Sequence, residues 1–449
     1  MNKLWIVPLF FLVLSGSGFA LISLHHARTQ SPEVTSSSID AREHNVGETP
    51  GCVFKTVMEG EGTDTLQRIE TPAQVRAATE RGLQWLVQAQ QNDGGFGAGT
   101  HARQDIRDPH AVKSDPATTA MVCMALLRTG STLELGTYAA QLQKGTTYLL
   151  VAVERSPKDR INITELQGTQ IQTKLGGNID VTLASQFFSN LLEKLDGQHA
   201  LRPRVTAALE DCVARIQKGQ QGDGSLRGDG WAGVLQSSFA ANALESADAI
   251  GIAVDSAVLS SFKEYQINNV DARSGNVNTD RSAGVMLYSV SGSSRSSAKG
   301  ARRAKAVLDK AKEDGRVEQQ APVTQENLMK AGLDADDATR SNTAFGVYNT
   351  AKERAQDSEV MDGFGSNGGE EFISYLQTGE SLVINNDSTW GNWYTTTTAR
   401  LVGIQTNDGS WQGHHCITSP VFCTATALLI LSVNNDIDQL VAQGTTVRH

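Results

Sequence analysis

A seven-residue phrase occurs three times along the 449 residues of this chain. It reads Gln90-Gln91-Asn92-Asp93-Gly94-Gly95-Phe96, Gln220-Gln221-Gly222-Asp223-Gly224-Ser225-Leu226 and Gln405-Thr406-Asn407-Asp408-Gly409-Ser410-Trp411. Each copy stands at the C-terminal end of a stretch with helical periodicity. Each is followed by a loop and a second, more apolar helical stretch. Such a unit cannot bury its apolar face alone, so it must stack on others like it. The glutamine amide is suited to capping or cross-linking helix ends. The glycine lets the chain leave a helix in a conformation that a side chain would oppose. Phe96 or Trp411 then packs back as a plug. Read this way, the phrase is a stability device and asks for no substrate.

The periodicity predicts twelve helices in six pairs. The first, amphipathic members lie near 75–90, 139–152, 205–219, 255–267, 299–313 and 393–405. The second, more apolar members lie near 117–129, 179–195, 235–249, 280–290, 369–383 and 421–433. The runs Ala120–Leu127 and Thr424–Leu431 are apolar nearly all round, which marks helices buried among others. Both are too short to span a bilayer. Asp115-Pro116 and Ser419-Pro420 each place a capping residue before a first-turn proline. The serine-rich stretch Ser289–Ser297 reads as a loop, and the polar region 317–362 reads as an insertion within the fifth pair, with an additional helical stretch from Asn342 to Arg354. Six pairs without a polar capping repeat favour closure into a ring, although an open solenoid carries the same signals.

Residues 1–22 have the form of a secretory signal peptide or N-terminal anchor: Lys3, an apolar run from Leu4 to Leu14, and Gly18-Phe19-Ala20. Residues 23–70 read as a flexible linker, and residues 71–449 as one helical domain. The expected location is therefore extracytoplasmic, periplasmic or at the cell envelope, with the body either secreted or tethered at its N-terminus. The net charge of −10 and the lack of a basic patch argue against a nucleic-acid partner. Of five cysteines, Cys123 and Cys212 lie in apolar helical patterns as core thiols, and Cys52 is isolated. Cys416 and Cys423 flank a Ser-Pro turn, and in an oxidising compartment a disulfide between them is expected.

The three phrases resemble the glutamine–tryptophan repeats of the squalene and oxidosqualene cyclases and the glycine-rich repeats of protein prenyltransferase beta subunits. The resemblance covers roughly residues 75–433. Its sharpest part is the last copy, from Trp393-Tyr394 through Leu401–Trp411 to Pro420–Leu429. That copy is similar to the C-terminal repeat of secreted or envelope bacterial "prenyltransferase and squalene oxidase repeat" proteins. The resemblance implies an all-α fold, an alpha/alpha toroid of about six helical hairpins with an inner ring of helices inside an outer one.

It also suggests site residues. Asp334-Ala335-Asp336-Asp337-Ala338-Thr339 resembles the DxDDTA motif of class II terpene cyclases, whose middle aspartate protonates a double bond or epoxide. Carried over, Asp336 is the acid and Asp334 and Asp337 flank it. Arg340 departs from the motif, and the competing reading is a solvated helix N-terminus. Asp115-Pro116-Ala117-Thr118-Thr119-Ala120 echoes the same motif without its central acids and reads as a cap and first turn. His414, His415 and Cys423 are soft ligands near the last inner helix, and Phe422-Cys423-Thr424 resembles the step that supplies a zinc histidine in prenyltransferases. Asp387 is the one carboxylate available as a further ligand, and the matching cysteine is missing. The Cys416–Cys423 disulfide is preferred over zinc, and no cofactor is expected. Glu370 and Glu371 open an inner helix near the rim of the ring, a rim that Asp362, Asp387, His414 and His415 are placed to share as a carboxylate pair or a carboxylate–histidine arrangement. Such an arrangement there would suit hydrolysis or elimination on a glycan. Otherwise Glu370 and Glu371 are helix-terminal acids stabilised by the dipole. The sequence thus favours a non-catalytic binding or envelope-structural role. The ligand would be an envelope component, a small apolar molecule or a glycan. The alternatives are a glycan- or peptidoglycan-acting hydrolase or lyase, and a terpenoid cyclase or prenyl-transfer enzyme.

Overall fold

The computed structural model describes residues 69–363, 367–435 and 437. The signal-peptide segment 1–22, nearly all of the linker and Cys52 lie outside the described residues. Among the described residues the regular structure is helical, with no strand and three isolated bridges. No described helix is long and apolar enough to cross a membrane.

Six helices form an inner ring: α2 (Pro116–Arg128), α5 (Ile179–Lys194), α7 (Gly233–Ala249), α9 (Met286–Glu313), α13 (Gly369–Asn385) and α15 (Pro420–Leu431). Each packs on the next, and α15 packs back on α2, so the ring is closed. Six more helices lie outside: α1 (Ala73–Gln88), α3 (Ala139–Arg155), α6 (Arg202–Gly219), α8 (Ser256–Ile267), α11 (Ala335–Gln356) and α14 (Trp390–Gly403). Each outer helix packs on the inner helix before it in ring order, with α1 resting on α15. The short helices α4 (Gln170–Leu175), α10 (Gln325–Lys330) and α12 (Ser358–Met361) fill connections. The inner helices α2 and α15 are buried along their whole length, as their all-round apolar runs require. Asp115 caps α2 through Thr118 N, and Ser419 caps α15 through Phe422 N, each with proline at the first turn.

The repeated phrase acts as a staple between neighbouring outer helices. The Gln90 amide donates to Gly94 O and to Gln141 O at the start of α3, both at 2.9 Å. The Gln220 amide donates to Val258 O at the start of α8 at 2.8 Å. The Gln405 amide donates to Gly409 O at 2.8 Å and to Ala78 O of α1 at 2.9 Å, so the third staple joins the last outer helix to the first. The glycine allows the close approach. Gly94 and Gly409 have φ of +86° and +97°, and a Cβ on either would meet the carbonyl of Lys144 or Arg81 at 2.8 Å. The plug residue is fixed by its own backbone. Phe96 N, Leu226 N and Trp411 N donate to hydroxyls near the start of the next inner helix, Thr119, Ser237 and Thr424, at 2.9, 3.0 and 2.9 Å.

Two expectations are corrected. Ser289–Ser297 is not a loop but the first half of α9, and the stretch expected as an outer helix at 299–313 is its second half. Serine disfavours isolated helices because its hydroxyl competes for backbone groups. Here the hydroxyls bond back along the helix, Ser293 to Ser289 O at 3.0 Å and Ser297 to Ser293 O at 2.6 Å, while Ser294 meets Ser381 of α13 at 2.6 Å. Small side chains let α9 sit close to its inner neighbours. Nor is 317–362 an insertion outside the pairing: its helix α11 packs along α9 and against α13 as the fifth outer helix.

Candidate functional site

The inner helices decide what the centre of the ring can hold. A cavity of about 20 Å³ on the ring's inner side is lined by Met121, Phe239, Leu376 and Leu429 together with Arg128, Gln186, Asn242, Arg295 and Glu380. Ion pairs cross this interior. Glu380 of α13 lies 3.5 Å from Arg128 of α2 and 3.3 Å from Arg295 of α9, and Arg295 lies 3.3 Å from Glu245 of α7. Lys263 reaches Glu245 at 2.6 Å from the outer ring. Burial alone would push Glu245 up, but Lys263 and Arg295 hold its carboxyl down at about 2. The Arg128 guanidinium also donates to Leu429 O of α15 at 2.9 Å, so five of the six inner helices are tied together at this level.

A second group of ionisable side chains gathers where the inner helices begin. Glu371 accepts from the Tyr288 hydroxyl and, at 2.8 Å, from Gly368 N. Glu370 accepts from Ile417 N at 3.2 Å. Burial, and then the neighbouring Glu371, push Glu370 up to about 8. Lys174 of α4 lies over the Trp231 ring, 3.5 Å from its centroid, and beside the Cys416 thiol. Cys416 has φ of +59°, a conformation that non-glycine residues rarely adopt. Burial and Glu370 push its thiol up to about 11. Trp231 is 58% exposed, and its ring centroid is 6.3 Å from that of His101. Glu370 and Glu371 themselves are only 2% and 0% exposed. The cluster is thus closed over by its own side chains and does not form an open acidic groove.

The other residues singled out in the sequence are not brought together. Asp334 caps α11 by accepting from Asp337 N at 2.7 Å, Asp336 is exposed, and Asp337 pairs with Arg340. These three aspartates begin an outer helix and do not line the inner cavity, which corresponds to the solvated-terminus reading. Asp387 lies after the C-terminal end of α13, where it accepts from Tyr348 at 2.9 Å and pairs with Lys352 at 2.5 Å. It is therefore at the opposite end of that helix from Glu370 and apart from the other proposed zinc ligands. His414 is exposed, with its backbone N–H donating to Asn367 O at 2.7 Å, and His415 is half-buried beside Gly368. Cys423 is buried in α15 with Sγ 3.5 Å from Ile417 O. Among the described residues no three His, Cys, Asp or Glu side chains are placed to hold a metal ion. The expected Cys416–Cys423 disulfide is not formed: both thiols are free, one in the left-handed turn and the other turned into the helix core. Asp362 pairs with Arg400 on the surface.

Sequence reasoning missed Lys174, Trp231 and Tyr288, which lie on three separate elements and form no motif. It also missed a buried acid pair. Asp115 accepts from Thr118 N at 2.7 Å and Ala98 N at 2.9 Å, while Asp180 of α5 accepts from Gln172 at 2.8 Å and Ala117 N at 3.2 Å. Burial, and then Asp180, push Asp115 up to about 7. A lone acid between Ile179 and Val181 in an apolar run was the available signal.

Residues 60–159 match the model of the squalene-hopene cyclase C-terminal domain. Among solved structures, the type II terpene cyclase MstE from Scytonema aligns with a TM-score of 0.41 at 11% identity, covering 81% of this chain and 98% of that one. A variant of the same enzyme in complex with geranylgeranyl dihydroxybenzoate aligns with a TM-score of 0.40 at 11% identity, covering 82% and 98%. No curated protein matches the chain. The domain match and the closed double ring agree with the resemblance carried by the repeated phrases: the fold is a terpenoid-cyclase-like alpha/alpha toroid.

Proposed function

We propose that this chain is a non-catalytic binding protein built on a terpenoid-cyclase-like toroid, acting outside the cytoplasm. The observation that carries this reading is a cavity of about 20 Å³ on the ring's inner side, crossed by ion pairs among the described residues. That volume has room for about one water molecule. Carbocation chemistry calls for a large apolar pocket with aromatic faces turned to the charge. Phe239 is the one aromatic residue lining this cavity, and arginine and glutamate lie beside it. The location is supported by the Lys3–Ala20 segment. The ligand is an envelope component, a small apolar molecule or a glycan.

Purified protein incubated with squalene and with geranylgeranylated arenes is expected to return both unchanged by gas chromatography and mass spectrometry. A cyclised product that depends on the protein would overturn the reading.

Glycan chemistry is the second reading: burial and the neighbouring Glu371 push Glu370 up to about 8, the direction a general acid needs, but at 2% exposure a glycan reaches it only if the 411–419 loop moves. Release of soluble fragments from peptidoglycan, lost in Glu370→Gln, would establish it in place of the first.

A further inference from the structure

A groove of about 470 Å³ runs along the outside of α3, between that helix and the 156–165 segment. Its volume falls within the range of small-molecule sites, roughly 300–1,000 Å³. One wall is the helix face of Tyr148, Val151, Ala152 and Arg155, and the other is formed by Pro157, Arg160, Ile163 and their neighbours.

The second wall is held rigidly although it is irregular. Arg215 of α6, 2% exposed, donates to Pro157 O at 3.0 Å, Arg160 O at 2.9 Å and Ser156 O at 3.3 Å, and pairs with Asp211 at 3.0 Å. Asn162 is anchored in turn by donating to Gly177 O at 2.7 Å. A loop sewn down by a buried guanidinium presents a preformed surface, so little ordering is needed when a ligand arrives.

The chemistry of the groove is asymmetric. Pro116, Val151, Ala152 and Ile163 give it an apolar stretch beside α3, and Ser156, Asn162, Thr164 and Glu165 a polar one. Two arginines stand on its rim. Arg155 makes no salt bridge among the described residues, and Arg160 has only the exposed Glu165, at 3.5 Å. The nearby Lys158 and Arg204 are already paired with Asp211 and Glu154. Glu165 also lines the groove, so the charge left without an ion-pair partner among the described residues is that of Arg155, on the groove itself. Guanidinium matches a carboxylate in plane and charge.

We propose that this groove binds an amphipathic carboxylate of the fatty-acid class, with its chain along α3 and its head group between Arg155 and Arg160. The assignment rests on the non-catalytic reading only in that the ligand leaves unaltered.

The test is titration of the full chain with dodecanoate and with dodecanol by calorimetry. Dodecanoate should bind saturably at one site. Replacing both Arg155→Gln and Arg160→Gln should weaken it by about tenfold or more, as expected for loss of a charge-assisted contact. Ala152→Trp, which fills the groove, should abolish it, and dodecanol should be indifferent to the arginine changes. Both arginines are exposed, so the double variant should keep the wild-type melting temperature. Absence of saturable dodecanoate binding would overturn the proposal. So would equal affinity for the alcohol, binding that survives Ala152→Trp, or a dimer in sedimentation that Ala152→Trp dissociates. Turnover of polyprenyl substrates would instead defeat the non-catalytic reading and leave the binding result standing.

Discussion

Gln405 shows how much a single side chain does here. Its amide is shared between Gly409 O within the phrase and Ala78 O in the first outer helix. Gln405→Ala leaves those carbonyls without that donor, and we expect a loss of about 1–3 kcal/mol, read by urea unfolding. Asp115 gives a prediction of another kind. Its carboxyl is raised from 3.8 to about 7 by burial and by Asp180, so the folded chain binds a proton that the unfolded chain releases. Its contribution to stability is therefore full below the unfolded value and is lost as pH rises through the folded one. Unfolding free energy should fall between about pH 4 and about pH 7, and Asp115→Asn should flatten that slope. The glutamine, glycine and plug of each phrase were legible because they recur. Asp180, Lys174 and Tyr288 were not, because each acts with partners far away in the sequence and no local spacing records the meeting.

The elements were read correctly wherever apolar periodicity set them. The first three pairs and the last appear where the amphipathic and all-round apolar stretches put them. The failure at α9 has a physical cause. Between Leu287 and Ala298 its buried residues are largely serine, Ser289, Ser291, Ser293, Ser294 and Ser297, so burial there left little apolar signature. With α9 running on to Glu313, the fifth outer position falls to α11, and the polar 317–362 region is part of the pairing. The packing of α9 on α13 depends on small side chains. Ser294→Leu should overpack the contact with Ser381 and cost about 1–3 kcal/mol. The double change Ser294→Ala with Ser381→Ala removes both partners at once and should cost less than the leucine variant, by thermal unfolding. The candidate site at the helix starts was legible only in part. Glu370 and Glu371 stood out as a pair, but their burial under Tyr288 and the 411–419 loop follows from ring closure.

For the molecule as a whole, the ion pairs through the centre tie the inner helices to one another. Arg295 bridges Glu245 and Glu380, and so connects α7, α9 and α13. Arg295→Met strands one side of both carboxylates in the interior. We expect a loss of about 3–5 kcal/mol in chemical denaturation. Closure has a further effect at the seam. Asn434 donates to Ile69 O at 2.9 Å, so residues at opposite ends of the described chain touch. A repeat array normally needs distinct end units with a polar outer face. Here the last repeat serves as neighbour to the first, and every repeat has two. The position of the chain ends is then a property of the gene and not of the ring. A circular permutant that links 435 to 69 and opens the exposed turn at Asp196–Gln198 would present the same sequence of neighbours, read from a different starting point.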